Sequence, residues 1–301
     1  MKSLRKTLAV LFAFLLLPSL SLAQTVVTSF YPIWLMTLNL THGLEDHVVV
    51  RNLAAPSVGC LHDYQLQTAD MKVLSSADLL LVNGAGMEAF LPEITRAFPD
   101  LPVAEASAGI ELLGQGSAVE ILEAEEEGAN AHLWLDPMRA VQMAENLAAA
   151  LIRTLPEDEA VIAANLEDYR ARMLTLDEKL RSGLADLPSR DIVTFHEAFP
   201  YFASAYGLNV VAVVNKEPGE VLTPSQMAQL VSEIRRLGNP PLFVEPQYTD
   251  LSAQTLSRET GSQVYSLDPV VTGPSENVPL DYYETVMLQN MATLAEALGG
   301  I

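Results

Sequence analysis

The chain has 301 residues, half of them hydrophobic, and a formal net charge of −21 at pH 7. Nucleic acid is excluded as a partner, because phosphate contacts need an excess of lysine and arginine that this acidic chain lacks. The single cysteine, Cys60, excludes an internal disulfide framework, so ordinary packing must hold the core together.

Residues 1–23 have the pattern of a secretory signal peptide. Basic residues precede an apolar run that is too short to span a bilayer, and small residues up to Ala23 suit a signal peptidase. An uncleaved membrane anchor is the alternative, and the length of the run disfavours it. Since no cysteine follows the run, a lipoprotein anchor is not expected. We therefore expect an exported, periplasmic monomer.

From residue 24 onward, short runs rich in Val and Leu alternate with helical patterns. The predicted strands are Val26–Phe30, Val48–Leu53, Leu79–Asn83, a short one near Val103, Ile192–Phe195, Val210–Val214, Leu242–Glu245 and Val264–Leu267. These runs scarcely alternate between polar and apolar residues, which is typical of parallel strands buried on both faces. The sequence predicts an α/β fold of two βα lobes with mostly parallel four-stranded sheets.

The longest helical pattern lies between the two sets of strands. Apolar residues recur at helical spacing from Ile162 to Leu184, Pro156 suits a first turn, and Pro188 ends the pattern. One long spine helix is predicted, with two shorter helices as the alternative. The predicted division is a signal peptide over 1–23, an N-terminal lobe over 24–154, a linking helix over 155–188 and a C-terminal lobe over 189–301.

Four candidate metal ligands lie far apart in the sequence: His62, His132, His196 and Asp268. His196 and Asp268 directly follow predicted strands, and His132 stands just before an Asp-Pro pair that is typical of a helix start. In open α/β sheets, ligands bind beyond the carboxyl ends of the strands. Two candidates fall in each half, which predicts a metal site in the cleft between the lobes. Three imidazoles and one carboxylate suit zinc.

Several motifs together carry a family resemblance. They are Val27–Ile33, His62–Tyr64, Ser76–Leu79, Asn83–Glu88, His132–Pro137, Thr194–Phe202, Val244–Gln247 and Leu267–Pro269. Over nearly the whole chain after the signal, the sequence resembles the zinc- and manganese-binding receptors of ABC importers, the cluster A-I (cluster 9) binding proteins. The resemblance implies two lobes joined by one long helix, with the metal between them. It also implies that His62, His132, His196 and Asp268 are the ligands.

Two features depart from the family pattern. Leu61 and Cys60 stand before the first ligand, where relatives often have Pro or Glu, and the acidic stretch Glu120–Glu127 replaces the histidine-rich loop of many zinc members. We interpret the acidic stretch as a solvated loop, with a weak cation lure as the alternative. Cys60 is interpreted as an ordinary loop residue, with metal binding through its thiolate as the alternative.

The remaining candidates receive ordinary interpretations. His42 and His47 are expected at the surface near a helix end, and Trp134 is expected to pack beside the site. Glu245 is expected to be structural, with support of a metal ligand as the alternative. Glu197, next to His196, is the one residue that suggests an enzyme.

The function favoured by the sequence is capture of zinc, or alternatively manganese, and delivery to the permease of an ABC importer in the cytoplasmic membrane. His196 favours zinc, because manganese-selective relatives tend to carry a carboxylate as third ligand. A periplasmic zinc hydrolase is the main alternative, but it would need an open metal position and a base, and no His-Glu-x-x-His signature is present. An adhesion protein is a third alternative. We expect a receptor and not an enzyme.

Overall fold

The computed structural model describes residues 23–61, 64–114, 129–214, 222–247 and 251–299. Within these ranges the elements in chain order are β1 (Gln24–Thr28), α1 (Tyr31–Leu40), β2 (Val48–Asn52), α2 (Thr68–Leu74), β3 (Leu79–Val82), α3 (Leu91–Ala97), β4 (Val103–Glu105), α4 (Pro137–Thr154), α5 (Glu159–Gly183), β5 (Asp191–Thr194), α6 (Pro200–Tyr206), β6 (Asn209–Val213), α7 (Pro224–Arg236), β7 (Leu242–Val244), α8 (Leu251–Thr260), β8 (Val264–Ser266) and α9 (Tyr282–Ala297). The predicted ligand His62, residues 1–22 of the predicted signal peptide and the acidic stretch 120–127 lie outside the described residues.

The strands form two four-stranded sheets, in the orders β2-β1-β3-β4 and β6-β5-β7-β8. Every pairing is parallel, as predicted from the Val- and Leu-rich runs. All four residues of β3 are buried, which explains why this strand shows no polar alternation. In each sheet the order reverses beside the first strand, between β1 and β3 and between β5 and β7. Loops at such switch points commonly form ligand sites.

The long helix α5 packs against α1 and α4 of the N-terminal half and against α9 of the C-terminal half. It follows a single 3₁₀ turn over Pro156–Asp158 and ends at Gly183, so the helix is shorter than the predicted 155–188. A Cβ atom on Gly183 would lie 2.2 Å from Sδ of Met291 in α9. Helix α5 therefore ends where α9 packs closely against it. The local sequence of α5 does not reveal this contact. In the ranges that the structure describes, no helix is both long and apolar enough to cross a bilayer.

The C-terminal sheet is covered on both faces. Neighbouring residues of β5 point to opposite sides, so that Ile192 joins the large core shared with the N-terminal half while Val193 joins a smaller core. The smaller core also contains Leu230 of α7 and Leu256 of α8. The larger core continues through α5 to the first sheet, and it holds the two halves together by apolar packing.

The segment that follows β8 returns to the N-terminal half. The buried Tyr31 hydroxyl donates to the carbonyl oxygen of Pro274 (3.1 Å), and the backbone N–H of Gly273 donates to the carbonyl oxygen of Pro56 (3.2 Å). A Cβ atom at Gly273 would lie 2.3 Å from the Tyr31 hydroxyl and 2.8 Å from that of Tyr282. Only glycine fits between these two tyrosines.

We predict that Gly273→Ala destabilises the protein. The added methyl group overlaps the hydroxyl of the buried Tyr31, and overpacking of this kind costs about 1–3 kcal/mol. Gly114→Ala is the matched control, because a Cβ atom there meets nothing within 4 Å; its effect should stay within about 0.5 kcal/mol. Urea unfolding of the metal-free variants measures both. Equal unfolding midpoints for the two variants would show that the segment after β8 can shift to accommodate the methyl group without loss of stability.

Candidate metal centre

Donor atoms of Cys60, His132 and His196 converge at one point of the structure. One candidate ligand atom of each residue lies within 4.8 Å of the other two. Cys60 Sγ is 3.5 Å from His132 Nε2, and the rings of His132 and His196 meet edge to face with centroids 4.9 Å apart. Cys60 follows β2, His132 precedes α4, and His196 follows β5. The cluster is therefore shared by the two halves of the chain.

The side chain of Asn130 fixes His132. Its Oδ1 accepts from the backbone N–H of His132 (3.0 Å) and lies 3.1 Å from His132 Nδ1. A proton on Nδ1 satisfies this contact and leaves the lone pair on Nε2, the nitrogen that faces Cys60. Asn130 Nδ2 also donates to the carbonyl oxygen of Glu197 (2.8 Å). The same amide thus ties His132 to the residue after His196.

His196 is held by a buried carboxylate. Its Nδ1 lies 2.5 Å from Glu245 Oε1, and the two side chains are 3% and 4% exposed. The residues follow the neighbouring strands β5 and β7, so they meet at the switch point of the C-terminal sheet. Gln247 Nε2 donates to the other carboxylate oxygen, Oε2 (2.5 Å). Glu245 therefore orients the ring of His196, as carboxylates do for histidines at metal sites. The sequence favours a structural role for Glu245, and the contact with His196 supports the alternative, a carboxylate that holds a proposed ligand.

Hydrogen bonds hold both the backbone and the carboxylate of Asp268. Its Oδ1 accepts from the backbone N–H of Val270 (2.8 Å), and the side chain of Asn290 bonds both its N–H and its carbonyl oxygen. Burial raises the pKa of Asp268 to about 6; the Val270 N–H acts in the opposite direction, and the neighbouring Glu245 carboxylate adds to the rise. Among the described residues, Asp268 is not part of the group within 4.8 Å. Its role as a ligand stays a prediction.

Trp134 links the segments of His132 and Asp268. Its indole N–H donates to the carbonyl oxygen of Pro269 (2.7 Å), and its own carbonyl oxygen accepts from the Tyr283 hydroxyl (2.5 Å). Its ring is fully buried and lies 5.1 Å from that of His132. The expectation that Trp134 packs beside the site is confirmed, and its hydrogen bonds also set the distance between the two segments.

The other predicted site residues have distinct positions. His62 lies outside the described residues, although Leu61 before it is fully buried and Tyr64 after it donates from its hydroxyl to Asp70 (2.8 Å). His42 is exposed beside Glu45, and His47 contacts Asp158 at the start of α5. Their side chains are 59% and 42% exposed, which confirms the surface assignment, and neither belongs to the cluster.

A profile of the family described as "Zinc-uptake complex component A periplasmic" matches residues 26–297. The chain belongs to this family. Its members are metal-binding receptors of import systems and not enzymes, which makes this chain a metal-binding solute receptor. The family also implies a membrane permease as partner.

Similar proteins are named for, or were solved with, different metals. It is 30% identical over 279 residues to the iron-binding protein YfeA of Yersinia pestis, across 91% of this chain and 86% of YfeA. It is 26% identical to the zinc-binding protein AdcA of Streptococcus pyogenes serotype M1, across 89% of this chain but 55% of AdcA. A solved structure of FpvC from Pseudomonas aeruginosa in complex with Mn²⁺ shares the fold, with a TM-score of 0.81 at 24% identity over 92% of this chain and 99% of FpvC. The choice of metal therefore has to come from this chain's own donor atoms.

We predict that Glu245→Ala weakens zinc binding 10- to 100-fold, because loss of a carboxylate that orients a histidine ligand typically has this effect. Glu245→Gln keeps an acceptor oxygen for His196 Nδ1 and should retain part of the affinity. Glu259→Ala, an exposed carboxylate of α8, is the control. Calorimetric titration of the metal-free proteins with zinc measures the affinities. If Glu245→Ala binds zinc as tightly as Glu259→Ala, then Glu245 does not position His196.

Proposed function

We propose that this protein captures one zinc ion in the periplasm and delivers it to the permease of an ABC importer. The observation that carries the proposal is the convergence of two buried imidazoles, one from each half, in a chain of the zinc-uptake family. The proposed ligands are His62, His132, His196 and Asp268. Cleavage after residue 23 would release the protein as a soluble monomer with no lipid-bearing cysteine.

Capture exchanges the water shell of the ion for side chains, two of which, His132 and His196, are already held in place. Asn130 and Glu245 hold Nδ1 of the two histidines, so each ring presents Nε2 without a change of tautomer. Little side-chain order has to be created on binding, which favours high affinity. Since the ligands bind the metal in their deprotonated forms, protons compete with the ion and affinity falls at low pH.

The donor set supports zinc over manganese. Zinc prefers four ligands rich in nitrogen or sulfur, whereas manganese prefers a larger shell of oxygen atoms. Three of the four proposed ligands are imidazoles, and Asp268 is the one oxygen donor. The Irving–Williams order also places zinc above manganese at a site of this kind. A manganese receptor is the alternative that a bidentate Asp268 would favour.

The surroundings of Glu245 support a receptor over a zinc hydrolase. A hydrolase needs a carboxylate or imidazole that can take a proton from a metal-bound water. The buried carboxylate beside the cluster is instead engaged at both oxygens, by His196 at Oε1 and by Gln247 at Oε2. It acts on a ligand and not on a water molecule.

Delivery requires the two halves to separate around the cluster. Because α5 packs on both halves, a small displacement of the C-terminal half is the expected opening motion. Such a displacement breaks the bonds from Asn130 to Glu197 and from Trp134 to Pro269. Contact with the permease would supply the free energy for this step.

We predict one tight zinc site per chain that depends on the buried histidines. His132→Ala and His196→Ala should each lower zinc affinity at least 100-fold and reduce the rise in melting temperature that zinc produces. His42→Ala and His47→Ala, the same substitution at surface positions, should bind zinc like the wild type. Calorimetry and thermal unfolding of chelator-stripped protein measure both quantities. Equal losses in all four variants, or well under one zinc per wild-type chain after reloading, would overturn the proposal.

A further inference from the structure

The distance between Cys60 and His132 matches the edge of a zinc coordination tetrahedron. Zinc binds sulfur at about 2.3 Å and imidazole nitrogen at about 2.0–2.1 Å, so a tetrahedral angle separates the two donors by about 3.6 Å. The observed distance from Cys60 Sγ to His132 Nε2 is 3.5 Å. His196 completes the group, with all three donor atoms within 4.8 Å of one another. Small shifts of these side chains would let one ion bind all three.

The backbone around Cys60 aims the thiol at the cluster. Gly59 has a φ of +88°, a left-handed conformation that favours glycine, and it turns the chain immediately before Cys60. Leu61 is fully buried directly after it, and its carbonyl oxygen accepts from the backbone N–H of Tyr64 (3.0 Å). Cys60 is thus fixed on both sides, and its own side chain is only partly buried.

The structure assigns Cys60 as a metal ligand, with its thiolate joining His132 and His196 and setting the preference for zinc over manganese. This inference rests on the proposed function, since it concerns the same site. On coordination the thiol gives its proton to solvent and the sulfur binds the ion. Thiolate donors suit zinc and softer ions and match manganese poorly, because manganese prefers carboxylate, carbonyl and water oxygens. Cys60 and Asp268 therefore pull the selectivity of the site in opposite directions.

The assignment explains which donors the structure brings together. Cys60, His132 and His196 form the group of converging donors in the described part of the chain, and the carboxylate of Asp268 is not among them. Adding a sulfur to the proposed imidazole and carboxylate donors makes the set softer, and zinc can expand its shell to five ligands. The selectivity of this protein then follows from a residue that departs from the usual pattern of its family.

Cobalt(II) tests the assignment directly, because a cobalt–thiolate bond gives a near-ultraviolet charge-transfer band that imidazole and carboxylate ligands do not. Cys60 is the only cysteine of the chain, so a band in the wild-type protein loaded with Co²⁺ under reducing conditions can come from no other residue. We expect the band at one Co²⁺ per chain and its displacement by Zn²⁺. Cys60→Ser and Cys60→Ala should lose the band and keep the weaker bands of cobalt bound to histidine. Ser57→Ala, in the same loop, should keep both.

Competition between Zn²⁺ and Mn²⁺ gives the second readout. Cys60→Ser should lose at least tenfold of the preference for zinc, about 1.4 kcal/mol, while Ser57→Ala should keep it. One Co²⁺ per wild-type chain with no charge-transfer band would overturn the assignment and leave the proposed function standing. Failure of the wild type to bind either Co²⁺ or Zn²⁺ at one ion per chain would overturn both. The band needs no variant, so the test holds even if a substitution at position 60 prevents folding.

Discussion

The bridge made by Asn130 is the contact on which the geometry of the site depends. This buried amide accepts from the ring and backbone of His132 and donates to the carbonyl oxygen of Glu197. One side chain therefore fixes a proposed ligand of the N-terminal half against the segment of His196. The carbonyl oxygen of Asn130 accepts from the Tyr201 hydroxyl (2.8 Å), which adds a second bond to the C-terminal half. Buried polar groups are costly unless they are fully paired, so the halves have one favoured relative position.

Residues at the switch points of the two sheets hold the segments that carry His132 and His196. At the first, the buried Glu88 accepts from the N–H groups of Asn83 and Gly84, and Asn83 Nδ2 donates to the carbonyl oxygen of Ala131 (2.9 Å), directly before His132. At the second, Glu245 holds His196. Each histidine is therefore connected to the carboxyl end of a central strand. Rigid strands position the donors, and the loops between them carry the chemistry.

The sequence predicts the frame of this protein well, because the frame depends on local patterns. Runs such as Leu79–Val82 are apolar on both faces since helices cover both sides of a parallel sheet, and all eight predicted strands are present. His132 and His196 could be found because each stands where a buried strand or a helix start meets a loop. The end of α5 could not be predicted in this way, because α5 ends where it contacts Met291, more than 100 residues away in the sequence.

The contacts of Cys60 with His132 and of Glu245 with His196 join residues far apart in the sequence, so the sequence alone does not predict them. Cys60 lies 72 positions from His132, and no spacing rule connects them. The one local signal is a cysteine two residues before a predicted ligand, for which the sequence favours an ordinary loop residue over metal binding through the thiolate. Glu245 gave a similar signal by following a buried strand, but its partner His196 comes from the neighbouring strand 49 positions earlier. Both roles depend on strand order, which a single sequence does not display.

The central claim is that one metal ion is bound jointly by the two halves of the chain. Anomalous diffraction at the zinc edge from crystals of the zinc-loaded protein tests it most directly. The account predicts a single strong peak about 2.0–2.1 Å from Nε2 of both His132 and His196. A peak held by one half alone, or by surface carboxylates away from these two histidines, would contradict it.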